Sequence, residues 1–190
     1  MGSEDVIQKF KETGALLEGH FVLTSGLHSN VYLQCALVLQ HPAQAESFGQ
    51  AIADKFRNQN IEAVASPAIG GLIVGHEVAR ALGARFIWAE RENGRMTLRR
   101  GFTLAPNERV LVVEDVVTTG GSTRETIETL QAAGGDVIAA ASIIDRSSGH
   151  ADVGVPRIAL ATLNVQAVEP AQCEACARGD VPVKPGSRKQ

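Results

Sequence analysis

The chain is poor in the features that would take it out of the class of ordinary globular proteins. No apolar run reaches the roughly 20 residues that a membrane-spanning helix needs. The first residues lack the basic-then-apolar order of a secretory signal, so a cytoplasmic protein is expected. Neither internal repeats nor a linker that would separate two domains can be found. Charge shows little bias: 18 basic against 21 acidic side chains leave a net charge of −3, which gives no reason to expect nucleic acid or a membrane as partner. Cysteine is scarce, with three in 190 residues. Cys35 stands alone in a segment read as strand, and Cys173 with Cys176 forms a single CxxC. Such a pair offers two of the four ligands of a tetrahedral zinc ion, and no second CxxC or nearby histidine pair completes the set. A thioredoxin-like strand-to-helix setting is also missing. The thiols therefore read as packing or incidental groups, with zinc shared across subunits and redox control as the alternatives.

What the chain does have is concentrated in residues 110–123, VLVVEDVVTTGGST. Four apolar β-formers run into two adjacent acids, Glu114 and Asp115. Two more valines lead to a hydroxyl- and glycine-rich turn, and a helical pattern follows. A continuous apolar run suits a strand covered on both faces, as in a parallel sheet. Ligands of open α/β sheets bind beyond the carboxyl ends of strands, where both acids would fall. Unpaired amides at the start of the next helix can hold a phosphate, and Thr118, Thr119, Ser122 and Thr123 offer hydroxyl donors. The acids repel phosphate, so they suit ribose hydroxyls or a metal ion. Plainer accounts exist for some parts. Ser122 with Glu125 matches an S-x-x-E capping box, and two glycines after a strand can be only a tight turn. The acid pair is harder to dismiss, because adjacent strand-end carboxylates repel unless something uses them.

In this order the parts resemble the phosphoribosyl pyrophosphate (PRPP) signature of the type I phosphoribosyltransferases. Further segments resemble the orotate-specific members: residues 23–29 (LTSGLHS), 66–71 (SPAIGG) and Asp145-Arg146. The resemblance spans about residues 21–149 in the family's order. It implies an α/β fold with a central parallel sheet, flanking helices and a small N-terminal hood. Residues 1–190 would then form one domain, with the hood at about 1–40 plus part of the C-terminal tail, and the core at about 41–165. It also implies that Glu114 and Asp115 meet the ribose hydroxyls, and that PRPP is bound by Glu114, Asp115, Val116, Val117, Thr118, Thr119, Gly120, Gly121 and Ser122. Orotate contacts would come from Thr118 and Arg146, with Ser25 and Gly26 from the hood. The plain alternative for Arg146 is a surface salt bridge with Asp145 or Asp152. Mg²⁺ would be carried by the pyrophosphate of PRPP, with no confident protein ligand.

The segment 89–102, AERENGRMTLRRGF, is the second chemical feature, since its length and charge are more than a simple connection requires. A solvated hairpin of mixed charge is its plain reading. In the resembled family the corresponding loop presents cations to pyrophosphate, commonly in the neighbouring subunit of a dimer. This makes Arg91 and Arg95, together with Asp115, the candidate catalytic residues, and implies a homodimer whose loop 91–101 serves the neighbouring site. Arg99 or Arg100 would contribute as well. The better-known bacterial pattern has lysines and a histidine in this loop, a lysine at the place of Gly70 and another at the place of Thr24. Arginine holds phosphate bidentately but donates no proton at neutral pH, so electrostatic stabilisation survives these changes, while any general-acid role assigned to the lysine or histidine is left open. A purine transferase and a non-catalytic PRPP-sensing protein are the competing readings.

Strands alternating with helical segments point independently to a parallel α/β domain. Helices are expected at 5–11, from Pro42 to about residue 58 (Phe48, Ala51, Ile52 and Lys55 sharing a face), at 72–82 and up to about 133. Strands are expected at 21–23, 31–34, 63–65, 85–89, 110–114, 137–144 and 158–163, with an irregular tail from Glu169.

Overall fold

The computed structural model describes residues 1–23, 25–165 and 167–185, so Thr24 of the expected hood turn and Gly186 of the tail lie outside the described residues. Helix α1 (Ser3–Glu12) is followed by strands β1 (Leu16–Val22) and β2 (His28–Leu33) and the short helix α2 (Cys35–Leu39). Next come α3 (Pro42–Ala53), β3 (Ala63–Pro67), α4 (Leu72–Leu82), β4 (Arg85–Glu92) and β5 (Arg95–Leu98). The last elements are β6 (Arg109–Val117), α5 (Gly121–Ala132), β7 (Asp136–Asp145), β8 (Arg157–Thr162), β9 (Ala167–Val168) and α6 (Glu174–Ala177).

Six strands form the main sheet in the order β5-β4-β3-β6-β7-β8, parallel throughout except for the antiparallel β4–β5 edge. The apolar run of β6 has its cause in this arrangement. Leu111 and Val113 face one buried cluster, with Phe10, Phe48, Ile52 and Val78, while Val110 and Val112 face another, with Ile127 and Leu130. Alternate residues point to opposite faces and both faces are covered, so no polar position is left in the run. Helix α4 joins β3 to β4 on one face and α5 joins β6 to β7 on the other. Between β3 and β6 the chain therefore departs in opposite directions, which opens a crevice at the carboxyl ends of these two strands.

The hood is a separate three-stranded antiparallel sheet, β1-β2-β9. Helix α1 belongs elsewhere by its packing: Val6 and Phe10 are fully buried in the main core, with the Phe10 ring 5.9 Å from that of Phe48. Several expectations need correcting. Cys35 starts α2 and is not in a strand; this helix has five residues, too few to display a period. Lys55 is exposed and Phe56 is buried in its stead, because α3 ends at Ala53 and the following turns change the phase. Residues 85–98 form a hairpin, the plain reading of this segment, but β4 runs on to Glu92 past the expected end at residue 89 before the turn at Asn93 and Gly94, whose φ values are +52° and +81°. The tail is not wholly irregular either. β9 pairs with β2, a 3₁₀ turn (Pro170–Gln172) and α6 follow, and Val183 bridges to Phe21 of β1. Nor is the CxxC remote from histidine, since His20 of β1 and His28 of β2 stand beside both thiols. No helix among the described residues is long and apolar enough to cross a membrane.

Candidate active site

The crevice between β3 and β6 holds a pocket of about 210 Å³. One wall is Pro67, Ala68 and Gly70 after β3; the other runs without a break from Glu114 to Thr123. The acids and the hydroxyl-rich turn thus line one cavity. Gly120 makes the turn possible: its φ is +80°, and a Cβ there would stand 2.9 Å from Val153 Cγ1. From Gly120 the chain enters α5, whose first intrahelical bond is Arg124 N–H to the Gly120 carbonyl. The amides of Gly121, Ser122 and Thr123 precede that bond and are left for a ligand. The capping box is not formed. Gly120 occupies the N-cap, Ser122 is already helical, and Glu125 pairs with Arg91 at 2.8 Å.

Glu114 is buried, and its Oε1 accepts the Asp115 amide at 3.1 Å. Burial, reinforced by Asp115, pushes its carboxyl up to about 9, so it keeps its proton at neutral pH. Asp115 is partly exposed to the pocket, and its Oδ1 accepts the Val116 amide at 2.8 Å. The mutual repulsion expected of the pair is relieved by neutralising one member. Across the pocket, Gly70 lies so close that a Cβ would stand 2.8 Å from Asp115 Oδ1. In this arrangement the Asp115 carboxylate occupies the space that any side chain at position 70 would need.

Arg146 does not line this pocket but follows β7 on the same sheet edge. Val117 pairs with Asp145 across the β6–β7 ladder, and the Arg146 amide donates to the Val117 carbonyl at 2.8 Å, which sets Arg146 opposite Thr118 on one sheet edge. Its Nε is buried without a hydrogen-bond partner among the described residues. Partial burial shifts its guanidinium below the ordinary value, offset by the nearby Cys35. The plain alternative for Arg146 fails, because Asp145 pairs with Arg157 at 3.1 Å and Asp152 with Arg124 at 3.6 Å. Ser25 and Gly26 sit exposed at the hood turn and do not line the pocket.

Residues 36–168 match the phosphoribosyl transferase domain family. The chain belongs to that family. This phosphoribosyltransferase is 51% identical over 189 residues to the orotate phosphoribosyltransferase of Desulforamulus reducens, covering 100% of this chain and 99% of the relative. To the protein of the same name from Pelotomaculum thermopropionicum it is 54% identical over 189 residues, with both chains fully covered. The crystal structure of the Aeropyrum pernix orotate phosphoribosyltransferase is 30% identical and superposes with a TM-score of 0.67 over 83% of this chain and 93% of that one. The fold is that of the type I phosphoribosyltransferases.

The transferase keeps most of its hairpin cations internally paired. Arg91 bonds Glu125 and the Gly94 carbonyl, Arg99 lies near Glu90 and Glu92, and Arg100 bonds Glu90. Arg95 has no ion pair among the described residues. Neither Arg91 nor Arg95 lines the pocket. Sequence reasoning missed Cys35, whose buried thiol is pushed up by desolvation and then by the nearby Asp115. No motif marks this residue, and only the fold of α2 brings it beneath the acids.

Proposed function

We propose that the protein transfers the phosphoribosyl group of PRPP to orotate, giving orotidine 5′-phosphate and pyrophosphate. The observation that carries the reading is the single pocket in which strand-end acids and an amide-lined turn face each other at the sheet's reversal point. One sugar phosphate spans both: its 5′-phosphate on the amides of 121–123 and the hydroxyls of Thr118, Thr119 and Ser122, its ribose hydroxyls on Asp115 and Glu114. The identity near one half with full-length relatives named for orotate selects the base. Arg146, with a buried and unpartnered Nε beside Thr118, supplies the matching chemistry, a guanidinium for the orotate carboxylate.

Loss of pyrophosphate from the ribose C1 leaves positive charge on the sugar ring. Asp115, beside the ribose, is placed to stabilise that charge with its carboxyl oxygens, and Glu114 donates its proton in a hydrogen bond as a neutral acid. Arg91 and Arg95 would receive the departing pyrophosphate, in the neighbouring site of a cytoplasmic homodimer. Asp115 and the hydroxyls of the turn are the oxygen groups here that suit a hard cation, fewer than an all-protein Mg²⁺ site needs. They would hold a Mg²⁺ ion together with the phosphates of PRPP, and the ion would disperse charge on the leaving group. Purified protein incubated with PRPP, Mg²⁺ and either orotate, adenine, guanine or hypoxanthine tests the reading. Nucleotide should form from orotate alone. Formation from a purine, or from no base, would overturn it.

A further inference from the structure

We propose that His20, His28, Cys173 and Cys176 bind one zinc ion that fastens the C-terminal tail to the hood sheet. The four donor atoms lie within 4.8 Å of one another. His20 Nε2 is 2.9 Å from His28 Nδ1 and 3.3 Å from Cys173 Sγ; Cys176 Sγ is 3.6 Å from His20 Nε2 and 3.2 Å from His28 Nδ1. A tetrahedral zinc ion with ordinary Zn–N and Zn–S bonds keeps its ligand atoms about 3.3–3.8 Å apart. The cluster is therefore already near the size of one coordination shell, and too tight for a two-iron cluster. Two thiols and two imidazoles select zinc over magnesium or calcium, which take oxygen ligands.

The surroundings favour a built site over a chance encounter. His20 Nδ1 lies 3.0 Å from the Asp180 carbonyl. Donation of an Nδ1 proton to that carbonyl fixes the tautomer and leaves the Nε2 lone pair facing the thiols, the usual outer partner of a metal-bound histidine. His28 and Cys173 are buried, and a cavity of about 880 Å³ borders His20, His28 and Cys173, giving an ion a way in. The cluster also answers a need of the fold. Among the described residues of 169–185 only Cys173 is buried, so apolar packing contributes little to ordering this tail. Its remaining ties are backbone hydrogen bonds, Val22 N–H to the Val183 carbonyl and Val183 N–H to the His20 carbonyl, at 2.9 and 2.8 Å. An ion held by β1, β2 and both ends of the CxxC closes the loop between hood and tail where a hydrophobic core is lacking.

The test uses full-length protein purified without chelator. Metal analysis should find one zinc per chain, and Cys173→Ser with Cys176→Ser should abolish it. Loss of tail structure for other reasons in that variant is controlled by a second measurement, on the wild-type protein. Chelation should release the zinc and speed trypsin cleavage after Arg178 by at least ~10-fold, and added zinc should reverse this. Cobalt in its place should give the visible absorption of a tetrahedral ion with thiolate ligands. Absence of stoichiometric zinc, retention of zinc by the double variant, another metal in its place, or a Cys173–Cys176 disulfide in the purified protein would each overturn the proposal.

Discussion

Burial and the neighbouring Asp115 push the Glu114 carboxyl up to about 9, so at neutral pH the folded chain keeps a proton that the unfolded chain has lost. The sign of the linkage follows from that. From the ordinary carboxylate range up to about 9 the native state binds more protons than the unfolded state, and stability falls as pH rises through this window. Glu114→Gln removes the titration while keeping the shape. In thermal melts, the variant's midpoint relative to wild type should climb between about pH 5 and about pH 8. A gap that stays constant across that range would show that Glu114 ionises freely. Asp115 meets the ligand differently, from a partly exposed position. Asp115→Asn should leave the melting temperature nearly unchanged and lower kcat/KM for PRPP by ~10–100-fold, the worth of a charged hydrogen bond of about 1.5–3 kcal/mol. Unaltered PRPP kinetics would remove Asp115 from the site.

At the scale of elements, the hairpin of β4 and β5 is the segment whose chemistry depends most on rearrangement. Arg91 and Glu125 are 45% and 42% exposed in their side chains, so their ion pair contributes only about 0–1 kcal/mol and gives way easily to a pyrophosphate. Arg91→Ala should therefore leave thermal stability almost intact while reducing kcat at least ~10-fold, with a smaller effect on orotidine 5′-phosphate binding. Equal losses in turnover and nucleotide affinity would point to a general structural role. The elements also show what can be read from residues alone. β6 was legible because both faces of the sheet are covered and every position of the run must be apolar. The boundaries of α4 were legible because Gly71 and Gly83 flank one amphipathic stretch. By contrast, α2 has five residues and no measurable period, and the S-x-x-E sequence at Ser122 gave way to the αL glycine before it. The pocket's acids and turn are contiguous in the chain, so one motif announced them. His20 and Cys173 are 153 residues apart, and only the pairing of β1, β2, β9 and Val183 brings them together. The CxxC half of that cluster was legible by its spacing; the histidine half, on another element far along the chain, was not.

For the whole molecule, sheet order decides which parts can act together. The reversal between β3 and β6 puts the proposed PRPP pocket near the middle of the main sheet, whereas β5 is its edge strand, with Arg95 at the start of that strand and free of ion pairs among the described residues. An edge hairpin carrying uncommitted positive charge is well placed to reach across to a second copy, and a two-fold assembly would give each pocket a hairpin from its partner. Two defective chains then become a direct test. Arg91→Ala keeps an intact pocket and loses the hairpin cation; Asp115→Asn keeps the cation and loses the pocket. If hairpins serve across the interface, each mixed dimer contains one site with both parts intact and one with neither. Random reassociation of equal amounts makes half of the dimers mixed, so activity should recover to roughly a quarter of wild type. If native mass spectrometry shows mixed dimers and activity stays at the level of the separate variants, each pocket takes Arg91 from its own chain, where Glu125 already holds that side chain one turn into α5.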